Sequence, residues 1–146
     1  MILPDANLIL YAYDLDSPFH AAAAAWWTKC LSETESVGLA QVILFAFLRL
    51  STSPRVFSNP FSVEAAIREV HAWSDQPNVR VLAAGQDHWQ QVCWLLRRAG
   101  GSGNLVTDAQ LGALALEYSG TVHTADTDFQ RFPGVSWFNP ITGTKG

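Results

Sequence analysis

Apolar residues come in two textures that alternate along the chain. Ile2 to Pro4, Val37 to Leu39, Val79 to Leu82, Thr121 to Thr124 and Val135 to Phe138 are short, strand-like stretches bounded by polar or turn residues, the last of them at a sheet edge. Longer stretches with helical spacing separate them. The first starts near Asn7 and carries Leu8, Ile9 and Tyr11 to about Tyr13. The second runs from about Phe19 to Leu31 through the helix-favouring Ala21–Ala25 block, with Ser17 placed as N-cap and Pro18 in the first turn. Gln41 to Leu50 is apolar nearly all round, which predicts a buried helix with Arg49 its one charge. Ser53-Pro54 stops it, because the residue before proline avoids the helical region. Val63 to Trp73 repeats apolar residues at Ala66, Ile67, Val70 and Trp73; Asp87 to Arg98 does so at Trp89, Val92, Cys93 and Leu96. Asn104 to Tyr118 is the next helix, with Thr107 a candidate N-cap and Gly120 the closing C-cap. Asp126 to Arg131 is a single helical turn. Strands alternating with helices predict an α/β fold with a parallel sheet covered on both faces. The length of 146 residues predicts one domain over 1–146.

Composition narrows the function. A net charge of −4, with Lys29 and Lys145 the only lysines, excludes a protein that coats nucleic acid. It leaves room for an enzyme that touches nucleic acid briefly at one metal-centred site. Cys30 and Cys93 form no CxxC pair and read as small hydrophobes in a reducing compartment; the four histidines have no zinc spacing. Gly100-Gly101-Ser102-Gly103 lacks the Lys-Ser/Thr of a phosphate-binding loop and reads as a connector. The start of the chain has no basic, cleavable leader, and the longest mainly apolar run, Val37 to Leu48, is short of the roughly 20 residues of a membrane span. A cytoplasmic protein with no membrane partner is the expectation. Six tryptophans call for a large core, a partner surface, or both.

The chemistry collects where the strands end. Asp5 follows the first strand; Asp126 and Asp128 follow the fourth, after Thr124. Asp108 shares the inward stripe of its helix with Leu111, Gly112 and Ala115. In open α/β sheets ligands bind at the carboxyl ends of the strands, and a wound topology makes strands 1 and 4 neighbours. Any one of these acids could be a helix cap. Three sites converging on one sheet mouth point instead to a hard divalent cation, Mg²⁺ or Mn²⁺, because the set holds oxygen donors with no His or Cys. Asp5 and Asp108 are the first candidates for direct ligands. Asp126 would ligate or orient the attacking water, and Asp128 would bind through water or hold its loop. Asn7 and Thr124 are placed to support them. Arg49 and Arg131 could hold phosphates at the rim, as could Arg97 and Arg98, although a surface role suits each arginine singly.

Four stretches together carry a family resemblance: Pro4-Asp5-Ala6-Asn7-Leu8-Ile9-Leu10-Tyr11, Phe47-Leu48-Arg49-Leu50, Thr107-Asp108-Ala109-Gln110-Leu111, and Thr124-Ala125-Asp126-Thr127-Asp128-Phe129 with Arg131-Phe132-Pro133-Gly134 after it. In this order and spacing the chain resembles the PIN-domain ribonucleases, and among them the VapC toxins of bacterial toxin–antitoxin pairs. The resemblance implies a PIN-domain-like three-layer sandwich with a central parallel sheet of about five strands. It also implies a Mg²⁺-dependent endoribonuclease, a homodimer, and a VapB-type antitoxin whose tail occupies the acid cluster in a heterotetramer or larger assembly. One position departs from the pattern. Most PIN domains carry an acid in the helix after strand 2, and Gln41 to Arg49 holds none. This keeps open a catalytically weak or inactive PIN fold that works by binding a partner or RNA. A phosphoacceptor domain, which needs a lysine after its last strand, fits poorly: Lys145 lies in the tail beyond Phe138.

Overall fold

The computed structural model describes residues 1–146. Its five strands are β1 (Ile2–Pro4), β2 (Val37–Ala40), β3 (Val79–Leu82), β4 (Thr121–His123) and β5 (Trp137–Phe138), all parallel, in the order β3-β2-β1-β4-β5. The helices are α1 (Ala6–Tyr13), α2 (His20–Ser32), α3 (Gln41–Ser51), α4 (Val63–Ser74), α5 (His88–Ala99) and α6 (Val106–Glu117), with single 3-10 turns at Gly103–Leu105 and Asp128–Arg131. Parallel neighbours require crossovers, and helices supply them. On one side α1 packs against α2 and α3, and α3 against α4; α5 packs against α6. The central strand β1 is buried throughout, pairing with β2 through Ile2↔Val37 and with β4 through Ile2↔Thr121, Leu3↔Val122 and Pro4↔His123. That register carries Asp5 alongside Thr124 one residue past the strand ends. Leu3, Leu8, Ile9, Leu39, Ile43, Phe47, Leu111 and Val122 are fully buried in one contiguous core. The indole N–H of the buried Trp73 donates to the Tyr13 hydroxyl, which donates to Glu69, tying α1 to α4.

The alternation of strands and helices predicted from the sequence is present throughout; the differences are local. α3 is not buried all round. Ile43, Phe47 and Ser51 face the core, while Phe45 is 66% exposed and Leu44 and Leu48 are half-buried, because only one side of the helix meets the sheet. On α5 the buried residues are Val92 and Leu95, and Trp89 is 72% exposed. The expected stripe through Trp89 and Cys93 is thus rotated about one residue: the inward face runs through His88, Gln91, Val92 and Leu95 and is less apolar than the stripe the period picks out. Cys30 is buried and Cys93 half-buried, both as free thiols.

The caps also differ. Ser17 accepts from the Phe19 amide and caps the turn before α2, which begins at His20. Thr107 caps nothing. The 3-10 turn feeds the chain into α6 with Leu105 already in helical conformation, and no side chain caps that end. Gly120 is not the left-handed residue that closes α6; Ser119 is, with φ of 51°. The Gly120 amide donates back to Ala115 and that of Ser119 to Leu116, the paired bonds of a Schellman close. Glycine is needed at 120 for space: a Cβ there would lie 2.3 Å from Leu3 Cδ1 and 3.0 Å from the Met1 carbonyl oxygen.

Candidate metal centre at the carboxyl end of the sheet

Strand β1 delivers Asp5 to the mouth of the sheet as the N-cap of α1. Its Oδ1 accepts from the Ala6 amide at 2.7 Å and its Oδ2 from the Thr124 hydroxyl at 2.7 Å, and only 6% of its surface is exposed. The fully buried Thr124 follows β4 and serves two acids at once. Besides donating to Asp5, its Oγ1 accepts from the Asp126 backbone amide at 2.9 Å. Asn7 closes the arrangement: its amide nitrogen donates to Thr124 Oγ1 at 3.4 Å, and its Oδ1 accepts from the Ala125 amide at 3.3 Å. Asp126 Oδ1 in turn accepts from the Asp128 amide at 2.9 Å, so the acid-rich loop is held in one shape by its own side chains.

Asp108 reaches the same place from the first turn of α6. Carboxylate oxygens of Asp108, Asp126 and Asp128 lie within 4.8 Å of one another. Asp5 is not in that trio but is close enough for its charge to act on Asp108. The crowding shows in the acidities. Burial, and then the charges of Asp5, Asp126 and Asp128, push Asp108 up to about 7. Burial pushes Asp5 up to about 6 against the opposing hydrogen bonds from Thr124 and Ala6, with Asp126 adding repulsion. Half-buried acids that repel one another are the electrostatic counterpart of a cation site. All the donors are hard oxygens, so the residues fit Mg²⁺ or Mn²⁺.

The two candidate rim arginines stand differently toward the acids. Arg131 is engaged: its guanidinium donates to the Ala99 carbonyl at 2.8 Å and lies 3.8 Å from Asp128 Oδ1, pinning the end of α5 to the acid loop. Arg49 is exposed in the last turn of α3, about 12 Å along the axis from the residue that starts that helix at the sheet mouth. Asp128 stands among the clustered acids on a par with Asp126, a closer place than the water-bridged or loop-holding role its sequence position suggests. Its signal is the Asp-Thr-Asp spacing, in which the first acid caps the turn that presents the second. Thr124, expected as a supporting residue, has its two partners, the Asp5 carboxylate and the Asp126 amide, fixed by the register that sets it beside Asp5.

Beneath the mouth, Trp26 Nε1 donates to His123 Nδ1 at 3.0 Å, so the neutral ring carries its proton on Nε2. Burial, followed by the N-terminal ammonium charge, lowers His123 to about 4.

Comparison with known proteins agrees with this architecture. The PIN domain family model matches residues 2–135. The chain is 42% identical to Ribonuclease VapC33 of Mycobacterium tuberculosis, over 97% of this chain and 99% of that protein. It is 38% identical to Ribonuclease VapC37 of the same organism, over 96% and 97%. Among solved structures, VapBC2 from Rickettsia felis bound to a promoter DNA fragment superposes with a TM-score of 0.68 at 15% identity, over 95% of this chain and 98% of that one. Mycobacterium tuberculosis VapC20, a sarcin–ricin loop cleaving toxin, does so with a TM-score of 0.67 at 19% identity, over 89% and 93%.

Proposed function

The chain belongs to the PIN-domain family, among its VapC ribonucleases, and from that premise we propose that it is a toxin endoribonuclease that cuts RNA with a divalent metal and is held in check by a VapB-type antitoxin. The observation that carries the metal dependence is the convergence of the Asp108, Asp126 and Asp128 oxygens beside Asp5 at the mouth of the sheet. Mg²⁺, with Mn²⁺ as substitute, would be held by Asp5, Asp108 and Asp126, with Asp128 adjoining. When bound, such an ion supplies Lewis acidity toward a phosphodiester and lowers the pKa of water.

The protein's own groups do the positioning. Thr124 fixes the Asp5 carboxylate and the Asp126 backbone with one hydroxyl; Asn7 holds the loop at Ala125. Asp108, pushed to about 7, holds a proton near neutrality while no cation neutralises its neighbours. A cation held by the cluster would favour the carboxylate form of Asp108. An antitoxin would silence the site by placing a cationic side chain among the same acids. The half-exposed apolar face of α3 suits a homodimer, which with antitoxin becomes a heterotetramer or larger.

The test is cleavage of cellular RNA by purified protein. Cleavage is expected with Mg²⁺ or Mn²⁺ and none in excess EDTA. Asp5→Asn and Asp108→Asn each lower the rate at least a hundredfold, with circular dichroism unchanged. Full activity in EDTA or in either variant would end the metal reading. A second reading, a PIN fold that binds without cutting, is favoured only by the lack of an acid on α3, where Gln41 stands at the mouth. Absence of cleavage by the wild type at any Mn²⁺ concentration would select it.

A further inference from the structure

Beside the acids, on the β3 side of the mouth, lies an open groove of about 320 Å³ with no carboxylate, lysine or arginine in its walls. Leu82 and Leu114 form its apolar base. Gln41, Gln110 and His88 supply the polar groups, from the starts of α3 and α5 and from α6. Two polar atoms of α5 are buried here or one turn on without a hydrogen-bond partner: His88 Nδ1 and Gln91 Oε1. Both atoms are shut off from solvent, so a ligand's donor reaches them only after the side chains turn toward the groove; buried polar atoms are normally satisfied, and such a turn would satisfy them.

The register fixes the distance to the acids. Extending Ile2↔Val37 by three residues aligns Asp5 with Ala40, and Ala40 pairs with Leu82. The base of the groove is therefore two strand spacings from Asp5, about 10 Å. Gln110 stands two residues beyond Asp108, about 200° round α6, so the groove and the acids lie on different sides of the same helical turn. Gln110 Nε2 donates to the Val106 carbonyl at 3.3 Å, which leaves its Oε1 and second N–H for the groove.

We propose that this groove takes one unpaired nucleobase of the RNA, next to the phosphate held at the acids, and reads its edge with Gln41, Gln110 and His88. The inference rests on the ribonuclease reading. An uncharged lining rejects a phosphate and suits a flat neutral ring. Amide side chains present a donor and an acceptor side by side, the pattern that matches a base edge. Single-stranded RNA is recognised through bases splayed out in this way.

The experiment measures binding in EDTA, where no cleavage occurs. Fluorescence anisotropy follows wild-type protein with four short single-stranded RNAs that differ at one central base. One base should bind at least tenfold more tightly than the weakest. Ala84→Trp, an exposed substitution that plugs the groove, and the pair Gln41→Ala with Gln110→Ala should each reduce that ratio below twofold, with melting curves confirming the fold. Equal binding of all four RNAs by the wild type, or a preference that survives Ala84→Trp, overturns the proposal. The same RNAs with Mn²⁺ separate the two readings. A base preference lost in the plugged variant, without cleavage by the wild type, supports the groove and removes only the nuclease. Cleavage whose base preference persists in Ala84→Trp overturns only the groove.

Discussion

A single hydroxyl, that of Thr124, joins the two strands that carry the site. Removing it leaves the Asp5 oxygen without its donor and the Asp126 amide without its acceptor, both in buried or half-buried surroundings. Thr124→Ala should lower stability by about 1–3 kcal/mol, as orphaned buried polar groups do. It should also reduce RNA cleavage more than tenfold by loosening the acids. Thr124→Ser, which keeps the hydroxyl, restores most of both. Equilibrium urea unfolding and initial cleavage rates check this; a Ser variant no better than Ala would mean that the methyl packing, not the hydroxyl, matters.

Titration at this scale has two opposing signs. Asp5 and Asp108 have folded-state values raised to about 6 and about 7 from 3.8, so their contribution to stability is present at low pH and is lost as pH rises through those values. His123 is lowered from 6.5 to about 4, so its contribution is present above 6.5 and is lost as pH falls toward 4. His123→Gln removes the second effect and keeps an acceptor for Trp26. Between pH 7 and pH 4.5 in EDTA, the urea midpoint of the wild type should therefore fall relative to that of His123→Gln. The acids act on both proteins alike and cancel from the difference. A constant difference across this range would show that His123 takes up its proton at the same pH folded and unfolded, and that burial does not lower it.

At the scale of elements, the close of α6 offers a paired prediction. Gly120→Ala drives a methyl against the fully buried Leu3 and should destabilise by about 1–3 kcal/mol, the range for overpacking a tight core. Ser119→Gly relieves a left-handed serine and should stabilise by up to about 1 kcal/mol. Thermal melts of the two variants should move in opposite directions. The sequence pointed to Gly120 and missed Ser119 because a glycine after a helix signals either need, conformation or space, and only the neighbouring β1 distinguishes them. The same limit explains α3 and α5. Period and composition located both helices, but which stripe turns inward depends on the sheet they lie against. The strands, and the pairing of β1 with β4, were legible because short apolar runs alternating with helices leave few topologies; the rest of the order was not. The acids were legible for the same reason: strand ends in a wound sheet converge. What pattern could not supply was the division of labour among them: the Asp-Thr-Asp spacing marks a capped turn, but which acid then faces Asp108 depends on how that turn sits beside α6.

For the whole molecule, the open side of α3 is the main unspent apolar surface. Phe45, with Leu44 and Leu48 beside it and Ile67 and Val70 across from α4, borders a groove of about 180 Å³. If this face closes a homodimer, sedimentation should give a dimer for the wild type and a monomer for Phe45→Glu, with little change in monomer folding because Phe45 lies outside the core. A monomeric wild type at micromolar concentration would remove the dimer from the proposal.

The placement of β1 between β2 and β4 has a consequence in time as well as in space. Asp5 precedes Asp108 by 103 residues and Asp126 by 121, and so leaves the ribosome well before them. At ordinary synthesis rates the interval is on the order of ten seconds. Throughout it the emerging chain has neither the strand that β1 must pair with on its β4 side nor the acids that strand brings. The ribosome is itself made of RNA, and it is bound to this chain for all of that interval. Until β4 and the loop after it have emerged the acid cluster cannot assemble, so neither RNA nor a partner that grips the acids meets a finished site before then.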